Sequence, residues 1–87
     1  PIPWYQQIAD TLLEVQSEEE LIVNAGKVPE KIITAYTALG FQAEAQGDLE
    51  RAAKYYREAL GSYLDDWVEY ELARQRYITL RRNSKKP

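Results

Sequence analysis

From Trp4 onward, apolar residues recur at helical spacing. Trp4, Ile8, Leu12 and Val15 fall on one side and Asp10 and Glu14 on the other, which predicts an amphipathic helix over 4–15 behind an extended Pro1-Ile2-Pro3 lead-in. Ser17 followed by Glu20 has the spacing of a capping box, and three acids in that first turn suit the helix dipole, so a short second helix runs to about Ala25 and stops at Gly26. Val28-Pro29 breaks the chain and restarts it as a third helix over about 30–46. One stripe of that helix is Ile32, Ile33, Tyr36, Leu39, Gly40 and Ala43; a second, narrower stripe of Thr34, Thr37, Ala38, Phe41 and Ala45 is more than a helix buried on one face needs. Gly47-Asp48 closes the third helix and caps the fourth, over about 49–61. Here Leu49, Ala52, Ala53, Tyr56, Ala59 and Leu60 oppose Glu50, Arg51, Lys54, Arg57 and Glu58, with Glu50–Lys54 and Lys54–Glu58 spaced four apart as opposite charges. A fifth helix, capped by Asp65 or Asp66, runs to about Leu80 and breaks the one-face rule: Trp67, Tyr70, Tyr77 and Ile78 point one way, Val68 and Leu72 another. Residues 83–87 have the composition of a tail. No period-two run bounded by hairpin turns occurs, so the fold class is all-α, with about five helices.

Composition narrows the chemistry. At 87 residues the chain holds one domain, and it contains no Cys, no His, no Met and only three Ser (Ser17, Ser62, Ser84). Disulfides, thiolate nucleophiles and histidine metal sites are excluded, and no cofactor or metal is expected. The carboxylate pairs Glu18–Glu20 and Asp65–Asp66 sit where helix starts favour acids, and neither a phosphate-binding glycine loop nor a calcium loop is present, so catalysis is not expected. A net charge of −3 argues against nucleic acid as the partner. The longest apolar run, Leu21-Ile22-Val23, is far too short for direct membrane insertion, and a soluble, cytoplasmic domain is expected. Without a methionine the chain does not open on a natural start, so a fragment, a processed product or a chain with its leader removed is expected. The charge is also graded: residues 1–30 carry −5, residues 31–64 balance, and residues 65–87 carry +2. One consequence is a solvated surface; the other is attraction between acidic and basic ends of different copies or domains.

One stretch is more specific. Tyr36, Leu39-Gly40, Gly47-Asp48-Leu49, Ala52, Tyr56 and Ala59-Leu60 stand at the spacings of a tetratricopeptide repeat, and residues 33–64 resemble one such unit. Leu64 stands where the family commonly has proline, and Ala43 where it has an aromatic. The resemblance implies a right-handed antiparallel helix-hairpin array: a divergent helix pair over 1–30, the repeat over 31–64 and a closing helix over 65–82. It also implies a protein–protein interaction module that binds a peptide or helix of a partner along the first-helix surface, at Thr34, Thr37, Phe41, Glu44 and Ala45 with Glu71, Gln75 and Ile78. Thr37 and Phe41 occupy the places where a carboxylate clamp would set a cation and an amide, which disfavours a carboxylate-terminus ligand. Trp67, Tyr70, Arg74, Tyr77 and Arg81 put the residue types of interface hot spots on the last helix, as expected for self-association into a homodimer or for a surface that a further helix covers. The rival readings are a generic helical bundle, a microtubule-interacting-and-trafficking type of helical adaptor, which shares the acidic-glycine turn and the Ala-xxx-Tyr step, and a purely structural oligomerisation domain.

Overall fold

Caps and breakers set where the helices of this computed structural model begin and end: α1 (Trp4–Leu12), α2 (Glu18–Ala25), α3 (Pro29–Ala45), α4 (Leu49–Leu60) and α5 (Val68–Ser84). The structure describes residues 2–84; Pro1 and the tail residues Lys85, Lys86 and Pro87 lie outside the described residues. The all-α reading holds, and no strand occurs among the described residues. Ser17 Oγ accepts the Glu20 amide at 3.1 Å and Asp48 Oδ1 accepts the Arg51 amide at 3.2 Å, so both expected caps are in place. Pro29 occupies the first turn of α3, as its fixed φ favours.

Two boundaries differ from expectation. Helix α1 stops at Leu12 because Glu14 takes a left-handed φ of 63°, with its amide on Thr11 O at 3.0 Å and the Val15 amide on Asp10 O at 2.7 Å. This is a Schellman ending with a glutamate where glycine is usual, and Gly47, at φ 80°, closes α3 through the same pair of bonds. Val15 therefore leaves the apolar stripe and is 76% exposed, while Thr11 turns inward and gives its hydroxyl proton to Gln7 O. Helix α5 starts at Val68, after Asp65 and Asp66, and continues through Asn83 and Ser84, so these two extend the helix instead of opening the tail.

The helices pack as a central hairpin, α3 against α4, with α1 and α2 laid on α3 and α5 laid on α4 and α3. Helices α1 and α2 do not pack on α5. Two cores result: Ile8, Leu21, Ala35 and Leu39 on one side of α3; Ile33, Ala43, Ala52, Tyr56, Ala59, Ala73 and Leu80 on the other. Of the second stripe of α3, Thr34, Thr37 and Ala38 are taken up by this two-sided burial and Phe41 and Ala45 stay exposed, while Tyr36 and Tyr55 join both clusters with ring centroids 6.0 Å apart.

The α3–α4 crossing is the tightest place in the fold. Gly40 lies against the ring of Tyr56, which is fully buried; a Cβ added at Gly40 would meet Tyr56 Cδ1 at 2.6 Å and Cζ at 2.9 Å. The Tyr56 hydroxyl donates to Glu44 at 2.8 Å, which fixes the ring and leaves it no room to yield. Gly40→Ala gains about 1 kcal/mol of helix propensity and loses ~1–3 kcal/mol to overpacking, so a net loss of stability is expected. In a Tyr56→Leu background that penalty should shrink or reverse, and a double-mutant cycle by chemical denaturation measures the coupling.

Thr37 is 2% exposed and its Oγ1 has no hydrogen-bond partner among the described residues. An unpaired buried hydroxyl costs ~1–3 kcal/mol. Thr37→Val keeps the branched shape and removes that cost, so the variant should melt at or above the parent temperature; a marked drop would mean that the hydroxyl is in use.

Candidate partner-binding surfaces

Helices α3 and α5 present the face on which the repeat-like pattern places ligand contacts, and the structure divides those residues. Thr34 and Thr37, expected on the surface, are buried at 6% and 2%. Thr34 Oγ1 accepts the Trp4 indole N–H at 2.8 Å and donates to Glu30 O at 2.8 Å, so helix α1 covers it. Glu44 is also drawn inward. It accepts from Tyr56 and forms a two-pronged ion pair with Arg76, whose Nε lies 3.1 Å from Glu44 Oε1, and this tie joins α3 to α5. Phe41 remains 44% exposed, with its ring edge-on to Tyr56 at 5.8 Å, and Ala45, Gln75 and Ile78 are exposed. Glu71 and Arg74 are exposed and hold one another through two bonds of 2.8 and 2.9 Å, three residues apart on α5.

The aromatic residues expected at a self-association surface are partly spent inside. Trp67, Tyr70 and Tyr77 are half-buried against the α3–α5 core. Arg74 belongs to the pair with Glu71. Tyr77 and Arg81, whose guanidinium lies 6.0 Å from the Tyr77 ring centre, also line an open groove between α4 and α5 of about 550 Å³. Its floor is Leu49, Ala53, Tyr77 and Leu80, and its rim carries three cations, Lys54, Arg57 and Arg81, against the single carboxylate of Glu50. Leu49, expected in the core, is 50% exposed here, because the α3 side of α4 is already filled by Ala52, Tyr56 and Ala59. The apolar arc of α4 packs on both α3 and α5 and leaves Leu49 at its edge to the groove, which periodicity alone did not signal.

At the opposite side of α4, Glu18 of α2 accepts from both Arg51 and the Tyr55 hydroxyl. Burial, and then the hydrogen bond to Glu18, push the Tyr55 phenol up from its ordinary pKa. The Tyr56 phenol is pushed up further, first by burial and then by its bond to Glu44. Neither ring ionises at neutral pH, so both act as hydrogen-bond donors. Among the described residues no group of three or more acidic, cysteine or histidine side chains could hold a metal ion, and no helix is long and apolar enough to cross a membrane.

The Arg76 hydrogen bond holds the Glu44 carboxyl below the usual carboxylate range; burial opposes the shift and the Tyr56 hydroxyl adds to it. A carboxyl with a lowered folded-state pKa contributes stability that is present above its unfolded value and lost as pH falls through the folded one. Glu44→Gln should therefore be less stable than the parent at pH 7 and lose less on acidification from about pH 5 to about pH 3. Thermal melts of both proteins across that window test it; parallel curves would remove Glu44 as a contributor. Compared with protein-family models, with curated proteins and with solved structures, the chain matches none.

Proposed function

We propose that this domain is a protein–protein interaction module of tetratricopeptide-repeat type, and that it binds a helix of its partner in the groove between α4 and α5. The observation that carries the reading is the groove itself: apolar side chains of two helices, Leu49, Ala53 and Tyr77, form one floor open to solvent with the buried Leu80 at its base, bordered by Lys54, Arg57 and Arg81. Two parallel ridges with an apolar floor receive a third helix by the same ridge-into-groove packing that builds the domain. Tyr77 offers a rigid ring, already half-packed from behind, that a partner could complete without ordering a flexible side chain. The face of α3 and α5 is the weaker candidate, since Thr34 and Thr37 are withdrawn from it and Glu44 and Arg76 neutralise each other across it.

The two faces are separable by experiment. Peptides selected from a displayed library on the immobilised domain should be amphipathic helices, and Leu49→Asp should weaken their binding by about tenfold or more, the cost of placing a charge at an apolar contact. Phe41→Glu should leave binding unchanged, with circular dichroism confirming that both variants fold. The opposite result would move the site to α3 and α5; loss in neither variant would remove both.

A further inference from the structure

The rim of the groove decides what kind of helix it takes. Lys54 and Arg57 are exposed on α4, Arg81 stands across from them on α5, and Glu50 is the only acid in the lining, 4.0 Å from Lys54. Arg57 has no ion-pair partner among the described residues. Two such grooves facing one another would set cation against cation, so the electrostatics oppose a symmetric groove-to-groove dimer. They favour an occupant with an acidic edge and an apolar ridge.

Helix α2 carries such a face on a small scale, with two acids beside one exposed apolar side chain, Val23. On α2, Glu19 and Glu20 are exposed and lie four and three positions before Val23, on one helix face, and Val23 is 75% exposed. Glu18, by contrast, is already held by Arg51 and Tyr55, and Leu21 is buried, so α2 keeps its own packing while this outer face stays open. The lengths agree as well: α2 has eight residues, about 12 Å of helix, and the α4 wall of the groove from Leu49 to Arg57 spans about the same. Because α2 lies on the α3 side of the hairpin and does not pack on α5, a molecule cannot place its own α2 in its own groove without dismantling its fold.

We propose that the α4–α5 groove of one copy takes helix α2 of a second copy, with Val23 over the floor formed by Leu49, Ala53, Tyr77 and Leu80 and with Glu19 and Glu20 against Lys54 and Arg57. The proposal rests on the reading of this groove as the binding site. The contact is head-to-tail, so a pair of copies retains one open groove and one open acidic face, and association continues to a closed ring or a filament instead of stopping at a dimer.

Sedimentation velocity over roughly 10 μM to 1 mM, the range that a small interface demands, should show mass growing with concentration at low salt and falling back at high salt. Lys54→Glu with Arg57→Glu removes the groove end, and Glu19→Lys with Glu20→Lys removes the acidic end; each double variant should be monomeric alone. Mixed one to one, they should associate again by alternation, since each groove then meets an α2 face of opposite charge on the other variant. The protein carrying all four reversals should associate again. A parent protein that stays monomeric across the range, or association indifferent to these reversals, overturns the proposal. If that monomer still binds selected helical peptides in the groove, the binding reading stands and only the second copy is lost as occupant; if peptides also fail, the groove itself is wrong.

Discussion

Helices α3 and α4 cross with no space for a methyl group between them, and the rest of the domain hangs on that crossing. Gly40 lets the backbone of α3 come against the ring of Tyr56; the ring, held flat there, sends its hydroxyl to Glu44 one turn further along α3. Glu44 in turn pairs with Arg76 and so fixes the position of α5. A chain of contact therefore runs from a missing side chain, through an aromatic ring and a carboxylate, to α5. Nothing in it is individually strong, but each member is immobilised by the one before, which is how a modest hydrogen bond acquires a definite geometry.

The cores on the two sides of α3 are built largely from small residues and tyrosine. Ala35, Ala43, Ala52, Ala59 and Ala73 are all buried, and they bring helix axes close while contributing little apolar area of their own. Tyr56, Tyr36 and Tyr55 supply the volume, and each hydroxyl that goes inside must be given a partner: Glu44 for Tyr56 and Glu18 for Tyr55. This is why the few carboxylates that matter structurally lie at helix–helix seams, whereas Glu50 and Glu19 face solvent. Thr37 is the one buried hydroxyl in α3 for which the arrangement supplies no partner among the described residues.

Much of this was legible in the chain. Ser17, Pro29 and Asp48 marked the helix starts, Gly26, Gly47 and Gly61 the ends, because each acts through local chemistry that does not depend on the rest of the fold. The repeat-like spacing singled out Gly40 and Tyr56 without setting one against the other. Less legible were the turns at Glu14 and Tyr63, where non-glycine residues adopt positive φ and no residue type announces it. The fate of the second α3 stripe was hidden for another reason: whether Thr34 faces a partner or faces α1 depends on where Trp4 arrives from thirty residues away, and amphipathic period alone does not say which neighbour fills which side. Leu49 and Tyr77 show the same limit from outside, since periodicity marks them as apolar without telling that no helix among the described residues lies over them.

The separation of α1 and α2 from α5, with the hairpin between, has a consequence for how the domain comes apart. Contacts between neighbours in sequence dominate, so the hairpin can persist after either flank has detached, and amide exchange should report three levels of protection instead of one. Half of the groove wall belongs to a flank, α5, and it exists only while that flank is docked. Any helix that enters there therefore draws on the local docking equilibrium of α5, and fills a groove and quiets that flank in the same step.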